Sequence, residues 1–205
     1  MCDRYEILIL KEGYSNICDG YQKADCSITI IRGTSIIIVD VGNPWDKEYI
    51  ISKMKEFDIL TNEINLVVCT HCHSDHVGNL NLFLNADKHI VGHDISCVDM
   101  FFEGPFIKND NFKINETINI FSTPGHTDAD ISVTIKTIDK GNIIISGDIF
   151  EKLEDLNDPI LWQRNSFDID LQTLSRNKIL KLADHIIPGH GPMFMVPVNV
   201  KRAIN

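Results

Sequence analysis

The sequence predicts a layered α/β domain, with sheets inside and helices outside. Three observations lead there. Strand-sized runs rich in Ile, Val and Thr recur in both halves of the chain. Stretches with a helical repeat of apolar residues interrupt those runs. Of 205 residues, 43% are hydrophobic and 23% charged, a balance that fills one core. One compact domain over 1–205 is the expected organisation.

In chain order, strands are expected at about 5–10, 26–32 and 35–41, where "EILIL", "CSITII" and "SIIIVD" are short, apolar and β-branched. "DKEYIISKMKEF" (46–57) has helical spacing. "INLVV" leads a strand at about 64–69, and "HVGNLNLFL" (76–84) reads as the next helix. Further strands are expected at about 88–92, 117–122, 131–138 and 142–148. A helix follows over "DLQTLSRNKILKLA" (170–183), then a short strand from about 184. Gly and Pro punctuate the strand ends in "DVGNP", "TPGHT", "SGD" and "PGHG". Loops at such ends are where function concentrates.

The formal net charge is −10, which argues against loose, phosphate-driven binding of nucleic acid. It does not exclude chemistry on nucleic acid, because bound divalent cations offset charge locally. The longest apolar runs are strand-sized, so no membrane association is expected. The start "MCDRYEILIL" lacks the features of a signal peptide, and an intracellular location is the default. Six cysteines are then thiols. Cys69 and Cys72 form a lone CxxC; a four-thiolate zinc site needs a second, and a redox pair is the weaker reading.

"THCHSDHVG" (70–78) places three of the eight histidines within six positions where a strand ends. Histidine and carboxylate are the side chains that bind transition metals near neutral pH. Three more candidates follow glycines on later strand-end loops: His126, Asp148 and His190. Seven donors divide between two cations. His71, His73 and His126 hold the first; Asp75, His76 and His190 hold the second; Asp148 bridges. Such N/O sites suit zinc and accept manganese or iron. Asp75 is expected to orient a water and take up its proton. Taken singly, a histidine is more often a capping or surface residue, and His89, His93 and His185 are read that way. The ordered set of seven is not.

This pattern resembles the metallo-β-lactamase superfamily, with "HCHSDH" followed by His126, Asp148 and His190, and with "IIIVDVG" (36–42) ending a strand in an Asp-x-Gly turn. The resemblance implies a four-layer αβ/βα sandwich with two divalent metal ions, Zn2+ first and Mn2+ or Fe next, in a cleft at one edge of the sheets. It implies that Asp40 supports the ligands from behind. Asp130 stands where many relatives have a small residue, and reads as either a support or a substrate contact. The segments "LKEGY", "DVGNPWDKE", "STPGHTDADISV", "SGDIFE" and "ADHIIPGHGPMF" are similar to a small intracellular animal member. That resemblance implies an endoribonuclease for RNA phosphodiesters in histone pre-mRNA 3′-end processing, a cytoplasmic and nuclear location, and a homodimer. Other RNA-cutting members carry an inserted nucleic-acid-clamping domain or a protruding arm, and neither is expected within these 205 residues.

Two other functions stay open: a thioesterase of the glyoxalase II kind or a lactam-type hydrolase, and a non-hydrolytic metal-binding or iron redox protein. Lys108, Lys113, Lys152 and Arg164 are candidate cleft cations, and Trp45 and Trp162 candidate stacking surfaces. Residues 151–169 read as a lid, a specificity loop or a dimer contact. Phe101, Phe102, Pro105 and Phe106 form an apolar cluster for the core or a subunit interface.

Overall fold

The structure, a computed structural model, describes residues 5–108 and 111–204. Cys2 and the side chain of Lys108 lie outside the described residues. The first half supplies β1 (Glu6–Lys11), β2 (Tyr14–Cys18), β3 (Tyr21–Asp25), β4 (Ile28–Arg32), β5 (Ile36–Val39), α1 (Lys47–Glu56), β6 (Leu66–Cys69), α2 (Ser74–Val77), β7 (Lys88–Val91), β8 (Asp94–Cys97) and β9 (Met100–Phe102). The second supplies β10 (Phe112–Lys113), β11 (Ile118–Ser122), β12 (Ile131–Thr137), β13 (Gly141–Gly147), α3 (Ile160–Gln163), α4 (Ile169–Leu182), β14 (His185–Pro188), β15 (Phe194–Met195) and α5 (Val198–Ile204).

The strands make one sheet in the order β1-β4-β5-β6-β7-β8-β9, a second in the order β10-β11-β12-β13-β14-β15, and a β2-β3 hairpin. Alternation along each strand divides the core into three. Ile37 and Val39 of β5, Val68 of β6, Ile143 and Ile145 of β13 and Ile187 of β14 meet between the sheets. Ile38 and Val67 face outward and pack with Ile50 and Met54 of α1. Ile144 and Ile186 face outward on the other side, with Ile179 and Leu180 of α4. Helix, sheet, sheet, helix: the four-layer αβ/βα sandwich follows from these periods.

The topology also locates the functional edge. β5, β6 and β7 run parallel, as do β13 and β14. β11 pairs antiparallel with β12, and β12 with β13, so β11 shares the direction of β13. The carboxyl ends of β5 and β6 in one sheet, and of β11, β13 and β14 in the other, each open into the loops that carry the candidate donors. Among the described residues no helix is long and apolar enough to cross a membrane.

The expected helix over 76–84 is not continuous. α2 stops at Val77, and only a 3₁₀ turn at Leu80–Leu82 follows. Gly78 donates to the Gly42 carbonyl, and a Cβ there would lie 2.4 Å from the Asn43 and Pro44 backbone. Asn79 adds hydrogen bonds to the carbonyls of Val41 and Asn43. Docking onto the 41–44 loop overrides the helical spacing. The β2-β3 hairpin and α5 are further elements that the apolar runs do not announce.

Candidate metal centre

β6 is fully buried and ends at Cys69. Beyond it the chain must turn, and Asp40 dictates how. Asp40 sits in the left-handed region at φ 58°, which Asp tolerates better than most residues. Its carboxylate accepts from the Thr70 backbone N–H at 2.8 Å and from the Thr70 hydroxyl at 3.1 Å. It also lies 3.0 Å from Nδ1 of His76. The Val41 N–H donates to the His76 carbonyl. Main chain and ring of His76 are thus both held by the end of β5.

The turn delivers its imidazoles to one place. Nδ1 of His73 lies 3.0 Å from Nε2 of His71 and 3.0 Å from Nε2 of His126. Asp148 Oδ2 is 3.3 Å from Nε2 of His126 and 3.8 Å from that of His71. On the other side, Asp148 Oδ1 lies 3.2 Å from His76 Nε2, and Oδ2 lies 3.1 Å from His190 Nε2. Asp75 Oδ2 completes this side, 3.8 Å from His76 Nε2 and 3.7 Å from His190 Nε2. Donor atoms of His71, His73, His126 and Asp148 all fall within 4.8 Å of one another, as do those of Asp75, His76 and His190.

Each loop is braced. Gly125 at φ 141° approaches α4 so closely that a Cβ would lie 2.2 Å from the Gln172 nitrogen. Asp130, which is buried, accepts from the N–H groups of Gly125 and Thr127 and from the Thr127 hydroxyl, closing the turn that carries His126. These three hydrogen bonds tie the carboxylate to its own loop and brace the turn. Gly189 lets Asp148 approach, since a Cβ there would meet Asp148 Oδ1. His190 Nδ1 pairs with the Asp25 carbonyl at 3.0 Å. Asp25 in turn shares the Lys11 ammonium with Asp46.

These residues fit a pair of cations. Burial holds the His71 and His126 rings neutral, that of His126 pushed down to about 4, and a neutral ring keeps a lone pair for a metal. One nitrogen of His73 faces two others, and a single proton cannot satisfy both contacts. His76 Nε2 and Asp148 Oδ1 are buried without an aligned hydrogen-bond partner, although 3.2 Å apart. Burial opposes charge on His190, but the Asp148 carboxylate raises it to about 9. The same electrostatic pull would act on a cation.

Beside the donors lies a cavity of about 380 Å³ lined by Cys72, His73, His126, Thr127, Asp128, Arg164, Asn165, Ser166 and Phe167. Arg164 and Phe167 come from the 151–169 segment, which folds onto the His126 loop through Phe167 N–H to the His126 carbonyl and Asp168 N–H to that of Gly125. Cys72 is exposed and Cys69 buried. Of the other candidates, Lys113 pairs with Glu116, and Lys152 donates to the Ser15 carbonyl. Trp162 is buried under the Arg176 guanidinium, whereas Trp45 is exposed. Phe106 is core; Phe101 and Phe102 are exposed on the edge strand β9. Sequence reasoning missed Glu151, a buried carboxylate beside Asp148 and His190 that burial pushes up to about 7. Its position three residues after Asp148 is the only trace in the sequence.

The family model of the metallo-beta-lactamase superfamily matches residues 23–191. The chain is similar to metallo-beta-lactamase domain-containing protein 1 of Xenopus laevis, 36% identical over 94% of this chain and 82% of that protein. It covers 62% of the mouse protein of that name, at 34% identity. A dizinc quorum-quenching lactonase, AidC, in complex with N-hexanoyl-L-homoserine product, shares the fold, with a TM-score of 0.64 and 17% identity over 85% of this chain and 76% of that one.

Proposed function

The chain belongs to the metallo-β-lactamase superfamily, and on that premise we propose that it is a dinuclear metal-dependent hydrolase that cleaves RNA phosphodiesters. The observation that carries the dinuclear reading is the placement of Asp148 between two histidine clusters, with His71 and His126 on one side and His76 and His190 on the other. His71, His73 and His126 would hold one cation, Asp75, His76 and His190 the other, and Asp148 both. When bound, such a pair lowers the pKa of a water to roughly 7, neutralises charge on a reacting oxyanion and assists the leaving group.

The protein's own groups do the rest. The Asp40 carboxylate, 3.0 Å from His76 Nδ1, engages that nitrogen and leaves Nε2 for the centre; the Asp25 carbonyl does the same for His190. Asp75, half-buried, is placed to orient a water and accept its proton. Zinc is the expected metal for a donor set dominated by imidazole.

For an RNA substrate, Arg164 at the cavity wall offers a guanidinium to a phosphate, and Phe167, 73% exposed, offers a ring on which a base stacks. The histone pre-mRNA 3′ end is the substrate that the sequence resemblance implies, and a cytoplasmic and nuclear location is proposed with it. A homodimer has support in the exposed apolar edge of β9, where Met100, Phe101 and Phe102 are uncovered.

The test is direct. Metal-loaded protein is assayed on single-stranded RNA, a glutathione thioester and a cephalosporin, with and without chelator. RNA cleavage that needs metal and is lost in Asp148→Ala supports the proposal. Turnover of the thioester or cephalosporin alone replaces the substrate class, and metal bound without turnover replaces the hydrolase reading.

A further inference from the structure

Glu151 follows β13 by way of the loop that carries Asp148, and only 2% of it is exposed. One oxygen, Oε1, accepts from the Asn165 side chain at 2.9 Å. The other, Oε2, is buried with no hydrogen-bond partner among the described residues. A carboxylate oxygen of Glu151 falls within 4.8 Å of donor atoms from Asp148 and His190, so these three residues make a further group that could hold a cation. The His190 N–H donates to the Glu151 carbonyl at 2.9 Å, which ties the two residues together. Two carboxylates this close and this buried repel each other, and a buried, unpartnered carboxylate oxygen is costly. A cation between them removes both penalties.

We propose that Glu151 is an additional metal ligand, which adds an oxygen donor beside Asp148 and His190 and so shifts the second position toward manganese relative to what Asp75, His76, His190 and Asp148 would select. Imidazole favours zinc, whereas carboxylate oxygen favours harder cations. The first position, built from His71, His73 and His126, has no carboxylate beyond Asp148, whereas the second already has Asp75 and would gain Glu151. The two positions therefore differ in metal preference, and the second is the one that exchanges with the supply of manganese. This inference rests on the dinuclear reading but not on the substrate.

The experiment is metal binding, read without turnover. Apo wild type and Glu151→Gln are titrated with Zn2+ and, separately, with Mn2+, the first by competition with a chromophoric chelator and the second by electron paramagnetic resonance of free Mn2+. Glutamine keeps the shape and the contact with Asn165. Wild type is expected to take two equivalents, and Glu151→Gln to bind the second Mn2+ at least tenfold more weakly, with the first equivalent and both zinc affinities within about threefold. Asn165→Ala, which leaves the carboxylate in place, is expected to keep the second Mn2+. Superimposable Mn2+ curves for wild type and Glu151→Gln would overturn the proposal while leaving the dinuclear reading intact. Wild type that binds fewer than two cations would overturn both. Equal melting temperatures of the two apo proteins establish that the variant folds, and a Glu151→Gln variant that does not fold while Asn165→Ala loses the second Mn2+ assigns Glu151 to the scaffold and also overturns it.

Discussion

The Asp40 carboxylate lies 3.0 Å from Nδ1 of His76 and, through its other oxygen, 2.8 Å from the backbone N–H of Thr70. One side chain, set at the end of β5, thus orients a candidate ligand and shapes the turn that carries three more. Asp40→Asn isolates the first role. Asparagine also tolerates positive φ, so the backbone at 58° is kept. The expected result is a loss of about 10–100-fold in zinc affinity with little change in the fold, measured by chelator competition and circular dichroism.

Removal of metal should lower stability. Ligands that bind only the native state stabilise it by mass action, about 4 kcal/mol when free ligand is 1,000 times the dissociation constant. Dialysis against chelator should depress the melting temperature, and added Zn2+ should restore it. An unchanged melting temperature would mean that the donors do not hold metal.

Gly125→Ala attacks the centre through the scaffold. The residue sits at φ 141°, and a new Cβ would fall 2.2 Å from the Gln172 nitrogen and 2.3 Å from its Cα, both backbone atoms of α4. Strain at positive φ and overpacking together should cost about 2–4 kcal/mol in urea denaturation. Because His126 is the next residue, metal affinity should fall as well.

Arg164→Ala and Phe167→Ala separate charge from stacking in the cavity. The first should raise KM for RNA roughly tenfold and flatten the dependence on salt by about one unit of slope. The second should weaken binding by about 1–3 kcal/mol with no change in salt slope. Neither residue supplies a donor to the metal cluster, so kcat should change little. Steady-state kinetics at several salt concentrations decide the point.

α5 is held to the second sheet by the Lys201 ammonium on Asp184, at 2.7 Å, and Asp184 also accepts from the Asn142 N–H. The hydrogen bond from Lys201 and that from Asn142 hold the Asp184 carboxyl below its ordinary 3.8. A depressed carboxyl stabilises the fold above its ordinary value, and that stability disappears as pH falls through the native value. Hydrogen exchange in α5, taken relative to its intrinsic rate at each pH, should therefore accelerate below about pH 4 in wild type. In Lys201→Ala it should be fast already at neutral pH, with a shallower dependence on acid.

The layers of this fold are readable in the sequence because β5 and β6 are uniformly apolar, and the centres of β13 (143–145) and β14 (186–187) are too, and these runs have no other place to go. The histidine turn is readable because metal ligation depends on residue identity more than on neighbours. The β2-β3 hairpin is not readable: its burial alternates weakly, and Tyr14, Ile17 and Tyr21 stay exposed. The end of α2 at Val77 is set by contacts with residues 42–44, which no local pattern encodes. Glu151 and the Lys11, Asp25 and Asp46 cluster escaped for the same reason, since their meaning lies in tertiary contacts rather than in spacing.

The hydrogen bond between His190 and Asp25 spans 165 residues, and Ser27 closes on the Gly191 carbonyl across 164. A nascent polypeptide on the ribosome therefore exposes the histidine turn long before its last partners exist. Until residue 190 emerges, the group formed by Asp75, His76 and His190 is incomplete. Assembly of the complete donor set therefore follows synthesis of both halves.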